Sequence, residues 1–223
     1  MKPFLLVLSS PSGGGKTTIA RRLLERREDV GYSISATTRG RRTGEEHGRD
    51  YWFLEVEEFD RRVAGGEFVE HANYNGKRYG TLRSEVDRLF RAGKVVVLDI
   101  EVAGARQVRA RYPDAVLVFV LPPTGAELVR RLTARQTEGP DALAKRMQIA
   151  VDELGAVSEY DYVVVNDELN RAVDDVEAIL SAEIRRTTRR DGLAGKVDAI
   201  RQEIRNEAER LSLGTRNSEL GTS

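Results

Sequence analysis

Cysteine is missing altogether from this chain of 223 residues, and histidine occurs only at His47 and His71. The absence of thiols excludes disulfides, and so few imidazoles cannot assemble the usual zinc or iron–sulfur ligand sets. An excess charge of either sign is lacking too. With 36 basic residues against 36 acidic ones, net charge gives no argument for nucleic acid or an anionic membrane as partner. Long apolar runs are also wanting. The N-terminal run Phe4 to Leu8 covers 5 residues, where a bilayer span needs about 20, and no signal-peptide cleavage pattern accompanies it. A cytoplasmic location is therefore expected. No internal repeat is found.

Hydrophobic residues make up 40% of the chain, enough for the core of one domain with small inserted lobes. Four apolar runs stand out: Phe4 to Leu8, Val95 to Ile100, Ala115 to Leu121 and Tyr162 to Val165. They are continuous rather than alternating, as strands of a parallel sheet covered on both faces must be. Helical patterns separate them. A helix is expected from the glycine-rich turn to about Arg27, with Ile19, Leu23 and Leu24 inward, and others after Glu101, Thr124 and Asp141 and near Asn170. The predicted class is α/β, a parallel sheet flanked by helices. Residues 33–93, with short alternating segments and many turn residues, read as an inserted strand-rich lobe. Residues 131–146, broken by Gln-Thr-Glu-Gly-Pro, read as a small lid.

Ser9-Ser-Pro-Ser-Gly-Gly-Gly-Lys-Thr-Thr18 follows the first strand and opens the first helix. In that context the motif is a phosphate-binding P-loop. Gly13, Gly14 and Gly15 let backbone amides face phosphate, Ser12 and Thr18 flank them, Lys16 reaches the terminal phosphates, and Thr17 offers a hydroxyl to Mg²⁺. A strict motif has glycine at position 10, where this chain has Ser10. Any metal is expected to be Mg²⁺ arriving with ATP. The segment Ser33 to Tyr51 then concentrates arginines, hydroxyls and a tyrosine, groups that grip a phosphate monoester through charge-assisted hydrogen bonds.

Taken together, the P-loop, Ser35 to Arg42, Gly44-Glu45, Gly48 to Tyr51, Tyr79-Gly-Thr81, Leu98-Asp-Ile100 with Gly104, Pro122-Pro123 and Tyr160 to Asn166 closely resemble the guanylate kinases. The resemblance covers roughly residues 4–185 and implies transfer of the terminal phosphoryl group of ATP to GMP or dGMP. It places Arg39, Arg42, Tyr51 and Tyr79 on the GMP phosphate, and Ser35, Glu70 and Thr81 on the guanine edge. Gly80, Asp99 and Glu101 complete the acceptor pocket, and Asn166 lies near adenine. A carboxylate at Glu70 suits the paired N1–H and amino donors of guanine, and a hydroxyl at Ser35 or Thr81 can donate to O6. Lys16, Arg39 and the lid arginines Arg131, Arg135 and Arg146 are the expected charge-neutralising set, with Asp99 organising Mg²⁺ through water.

Taken singly, these residues have plainer readings: Glu70 as a solvated strand charge, Ser35 and Thr81 as turn residues, Arg39 and Arg42 as a basic surface loop. His47 and His71 read as surface or satisfied polar residues. The chain also departs from the family pattern at Arg41 (commonly proline), Glu101 (usually aspartate), Ala103 (usually glutamine) and Gln136 (commonly glycine). Two other functions remain open here: a catalytically inactive guanylate-kinase-like interaction module, which would have surrendered Lys16 or the acceptor arginines, and a related P-loop sugar-phosphate kinase, which would not need the guanine-reading set. The expected division is a kinase-like domain over residues 1–190, with core 1–32, 94–130 and 147–190, GMP lobe 33–93 and lid 131–146. Residues 191–223 form an extension whose stripe Val197, Ile200, Ile204, Ala208 and Leu211 suggests an amphipathic helix, followed by a disordered tail from Gly214. The protein is expected to act on ATP and GMP as a monomer or homodimer.

Overall fold

Strand β1 (Leu5–Ser9) is buried at every position, which explains why its sequence shows no polar alternation. In the computed structural model, which describes residues 1–74, 76–134 and 140–219, this strand lies at the centre of a parallel sheet. It pairs with β7 (Val95–Asp99) on one side and β8 (Val116–Leu121) on the other. The outer positions go to β2 (Val30–Tyr32) and β9 (Tyr162–Val165), giving the order β2-β7-β1-β8-β9. The four expected runs are all strands of this sheet. The fifth, β2, went unpredicted because three residues show no period. Gly31 within it is dictated from outside: a Cβ there would lie 2.6 Å from Leu89 Cδ2.

Helices α1 (Lys16–Arg26), α4 (Val102–Arg111), α5 (Gly125–Thr133), α6 (Pro140–Leu154) and α7 (Leu169–Ile184) connect or follow these strands. Ile19, Ala20 and Leu23 form the buried stripe of α1. Helix α3 (Arg83–Arg91) sends Val86 and Leu89 into the same apolar cluster as Leu5, Val96, Leu98 and Val108. The end of the segment assigned to the lobe by sequence therefore packs with the central core.

A second sheet has the order β4-β3-β6-β5, built from β3 (Ser35–Thr37), β4 (Trp52–Phe53), β5 (Phe68–Tyr74) and β6 (Lys77–Leu82). Only β3 and β4 run parallel. Its apolar side carries Ala36, Phe68 and Leu82 against Phe59 of α2 (Val56–Ala64), with Phe59 and Phe68 stacked at 4.5 Å. A bulge between Phe68 and Glu70 pairs Phe68 with Leu82 yet sets Glu70 opposite Thr81. Ordinary alternation would put residues 68 and 70 on one face.

Pro3–Glu183 form one compact unit, and Met1–Lys2 with the chain from Ile184 form another. In the second, the N-terminal ammonium lies 3.0 Å from Asp191 and Lys2 N–H donates to the Arg189 carbonyl at 3.0 Å. Helix α8 (Leu193–Glu219) exposes Val197, Ile200, Ile204 and Leu211. It continues past Gly214, where the sequence reading begins a disordered tail. One interior glycine costs about 1 kcal/mol relative to alanine, too little to stop a helix already propagating. Among the described residues no helix is long and apolar enough to cross a membrane.

Candidate active site

The P-loop turns where glycine alone is comfortable: Gly13 has φ +87° and Gly15 φ +96°. Gly14 is required for a different reason, since a Cβ would stand 2.6 Å from the Cβ of Ser10. Ser10 thus fills space that glycine leaves empty in the strict motif. Gly14 N–H donates to the Pro11 carbonyl at 2.8 Å, and Thr18 N–H and Ile19 N–H to the Gly15 carbonyl at 3.1 and 3.2 Å. The loop thereby delivers the N-terminus of α1, a favourable seat for phosphate. Thr17 and Thr18 are exposed there.

Asn166, expected near adenine, braces the loop. It is buried and its Nδ2 donates to the Gly14 carbonyl at 2.8 Å. Arg131 donates through Nε to Glu127 at 2.7 Å and through NH2 to the Asn166 carbonyl at 3.1 Å. Arg130 and Arg131 together draw the Glu127 carboxyl down to about 2. Arg146, on α6, is buried and donates to Ser12 Oγ at 3.1 Å. Arg135 and Gln136 lie outside the described residues.

Asp99 ends β7 beside β1, so the sheet register carries it to the P-loop. Thr17 Oγ1 donates to Asp99 Oδ2. The other carboxylate oxygen is buried without a hydrogen-bond donor, and Lys16 Nζ lies 3.9 Å from it. An unsatisfied carboxylate oxygen beside a hydroxyl is a hard-oxygen set that suits Mg²⁺.

Glu153 belongs to this end of the site although sequence reasoning passed over it. It is seven residues beyond Arg146 on α6, the same helix face, and it accepts from Ser12 N–H at 3.3 Å. Burial, reinforced by the nearby Glu101 carboxylate, pushes its carboxyl up to about 7, with Lys16 and the Ser12 amide opposing. A folded-state pKa above the unfolded one near 4.5 gives stability that is full below 4.5 and lost as pH rises through about 7. Glu153→Gln should therefore be more stable than the parent at pH 8, by about 1 kcal/mol after allowance for solvent screening, with the gain vanishing toward pH 4.5. Urea unfolding at the two pH values measures this.

The acceptor face comes from strand register. Ser35 lies opposite Thr81 and Thr81 opposite Glu70, across β3, β6 and β5; Thr37 lies opposite Tyr79 two pairs further on. Arg39 follows in a bend two residues beyond β3. The guanidinium of Arg39 stands 5.2 Å from the centre of the Tyr51 ring, and Tyr51 and Tyr79 meet edge to face at 6.2 Å. Gly80 points the other way, where a Cβ would lie 2.7 Å from Phe68 Cδ1.

Glu70 is buried and accepts from Thr81 Oγ1–H at 2.7 Å. Burial raises its carboxyl to about 7 against that bond and the attraction of Arg111. Thr81 therefore spends its proton on Glu70, since a buried carboxylate is a strong acceptor. Ser35 is half-buried at the same level. Glu101 occupies the N-cap position of α4 without a side-chain capping bond, and burial raises its carboxyl too.

Glu45 organises the arginines and had been noted only as part of a motif. It accepts from both terminal nitrogens of Arg39 at 2.9 and 2.7 Å and from Arg42 N–H at 2.9 Å. Those bonds, the Arg39 pair first, hold its carboxyl down at about 2. Arg41 Nε donates to the Glu45 carbonyl at 2.9 Å, so the departure from proline adds a brace to this loop. The Arg42 side chain stays exposed. His47 Nδ1 accepts from Phe53 N–H at 3.2 Å, the satisfied polar role expected of it.

A phosphate cradle on the central sheet, joined within one α/β unit to a polar sheet face of arginine, tyrosine, hydroxyl and buried carboxylate, defines a P-loop phosphotransferase. A family profile described as guanylate kinase matches residues 2–183. A guanylate kinase of Symbiobacterium thermophilum is 47% identical over 84% of this chain and 89% of its own, and one of Clostridium perfringens 44% identical over 90% and 94%. The crystal structure of guanylate kinase from Anaplasma phagocytophilum superposes with a TM-score of 0.74 at 34% identity, covering 88% of this chain and 94% of that one. The chain belongs to the guanylate kinase family.

Proposed function

We propose that this chain transfers the terminal phosphoryl group of ATP to GMP or dGMP, giving ADP and GDP or dGDP. The observation that carries the reading is the register placing Ser35, Thr81 and Glu70 side by side, with Arg39, Tyr51 and Tyr79 further along the same face. Glu70 as a carboxylate accepts from guanine N1–H and the 2-amino group, a donor pair adenine lacks, and Ser35 donates to O6. Arg39, Arg42, Tyr51 and Tyr79 bind the acceptor phosphate, with Glu45 holding Arg39 in place until it arrives.

On the donor side, the amides of Gly13, Gly15, Lys16 and Thr17 and the ammonium of Lys16 bind the ATP phosphates. Mg²⁺ brought with ATP would be held by Thr17 and, through water, by Asp99, and would supply charge neutralisation at the phosphates. The GMP phosphate oxygen attacks the terminal phosphorus in line; one P–O bond forms as that to ADP breaks. Alignment and charge stabilisation do this work, and no nucleophilic side chain is required. Lys16 and Arg39 face the charge that spreads over the transferring oxygens. Arg131 and Arg146 join them when α5 and α6 close, Arg131 by releasing the Asn166 carbonyl. Closure also keeps water from competing with GMP. Residues 33–93 act as the GMP lobe and 131–146 as the lid. The enzyme works in the cytoplasm on small molecules, with neither nucleic acid nor membrane as partner, as a monomer or homodimer.

ADP formation measured with Mg²⁺-ATP and GMP, dGMP, AMP, UMP or ribose 5-phosphate tests the reading. GMP is expected to exceed AMP in kcat/KM by at least ~10²-fold, as one lost set of buried polar contacts implies. No turnover with GMP would overturn the activity, and faster turnover with AMP the guanine assignment. Retention of Lys16 and Arg39 disfavours an inactive interaction module, and a sugar-phosphate kinase has no use for the Ser35, Glu70, Thr81 set.

A further inference from the structure

Strand β5 is an edge strand of the acceptor sheet, so one side of its backbone has no strand to pair with. Those amides and carbonyls need partners of another kind. Helix α4 provides them. Gln107 Oε1 accepts from His71 N–H at 3.2 Å while its Nε2 donates to the His71 carbonyl at 2.7 Å, the same two-bond exchange a neighbouring strand would make. One turn later, Arg111 donates from one terminal nitrogen to the carbonyls of Phe68 at 2.9 Å and Val69 at 2.7 Å. These are the carbonyls at the bulge.

One turn before Gln107, Gly104 meets the Glu70 side chain: a Cβ there would lie 2.7 Å from Glu70 Oε2 and 3.2 Å from its carboxyl carbon. Residues 104, 107 and 111, three and four apart, share one helix face. Between the backbone points that Arg111 and Gln107 hold sits Glu70, and Gly104 leaves the space its carboxylate occupies.

We propose that Gly104, Gln107 and Arg111 are positioning residues for guanine selection, α4 standing in for the missing strand and locking the bulge that turns Glu70 toward Thr81. The inference rests on reading Glu70 as the guanine-selective carboxylate. Its physical basis is that a bulge with unbonded carbonyls can shift along the strand, and once it no longer lies between them Phe68 and Glu70 fall on one face. Either Phe68 would then face the polar pocket or the carboxylate would face the apolar cluster of Phe59 and Leu82. Helix α4 starts three residues after Asp99, so one rigid element serves the phosphate end and the base pocket together.

The test compares Gln107→Leu, Arg111→Met, Gly104→Ala and Glu70→Gln in steady-state assays with GMP and with IMP, which lacks the 2-amino group, while ATP is varied separately. Hydrogen exchange is followed at the His71 amide. Gln107→Leu and Arg111→Met are each expected to raise KM for GMP about 10-fold and shrink the GMP-to-IMP ratio of kcat/KM by about 10-fold, as loss of polar positioning bonds implies, leaving KM for ATP within twofold. Gly104→Ala should act in the same direction. The His71 amide should exchange faster in Gln107→Leu alone. If Glu70→Gln loses the GMP preference while Gln107→Leu and Arg111→Met keep it, the proposal is overturned and the reading of Glu70 survives. If Glu70→Gln keeps the preference, that reading fails and the proposal with it. Equal rises in KM for GMP and ATP would reduce α4 to a general structural role and also overturn it.

Discussion

Lys16→Met is expected to lower kcat by at least ~10³-fold, roughly 4 kcal/mol of lost transition-state stabilisation, while the far-UV circular dichroism spectrum stays that of the parent. The reasoning starts from where the ammonium sits. Lys16 begins α1 directly after Gly15 in the left-handed conformation, so its backbone amide and its side chain both serve the phosphate seat. Its Nζ lies 3.9 Å from a carboxylate oxygen of Asp99 that has no hydrogen-bond donor. Methionine keeps the length and the apolar stem but removes the charge. The amides of the P-loop remain, so ATP binding should weaken far less than turnover. A fall confined to KM, with kcat retained, would show that Lys16 acts on substrate binding alone and would sink its proposed catalytic part.

Glu70→Gln should raise KM for GMP by about 10²-fold, since an amide offers one acceptor and one donor where guanine needs two acceptors, and a charge-assisted pair is lost. The parent enzyme carries a second signature. Burial holds the Glu70 carboxyl at about 7, and only the ionised form can accept from both guanine donors. The value of kcat/KM for GMP is therefore expected to fall as pH drops below 7, approaching tenfold per unit, and Glu70→Gln should flatten that limb. Glu153 titrates in the same range, but it contacts the P-loop, so its effect should follow ATP as the varied substrate. A GMP profile that keeps its limb in Glu70→Gln would assign the ionisation elsewhere.

Glu70 also destabilises the fold it serves. Its folded pKa lies above the unfolded value near 4.5, so the stability present below 4.5 is lost as pH rises through about 7. A buried carboxylate ready for guanine therefore costs the free protein stability, which bound GMP would restore.

Much of the site could be read along the chain because its chemistry is local. The P-loop needs consecutive positions: glycines at two left-handed turns, lysine and threonine where the helix begins. Strands β1, β7, β8 and β9 announced themselves through uninterrupted apolar runs, since burial on both faces leaves no place for polar residues. Arg39, Arg42, Tyr51 and Tyr79 stand in several separated motifs in a fixed order, and the resemblance to guanylate kinases groups them and adds Glu70. Other features had no local signal. Strand β2 is too short for a period. The partners of Asn166 and Glu153 lie 152 and 141 residues away along the chain, and no spacing rule reaches so far.

What the sequence by itself determined is the phosphate cradle and the α/β class, because these rest on backbone conformation and on burial periodicity; the guanine-reading set came only from the resemblance to guanylate kinases. The tertiary structure alone decided how those residues are used. It gave Asn166 to the P-loop carbonyl, gave the Thr81 proton to Glu70, bound Arg39 to Glu45, and turned Glu70 to the polar face through a bulge held by Gln107 and Arg111. The physical reason is common to all four. A buried hydrogen-bonding group takes the best partner within about 3 Å, and which partner stands there is settled when sheets and helices pack.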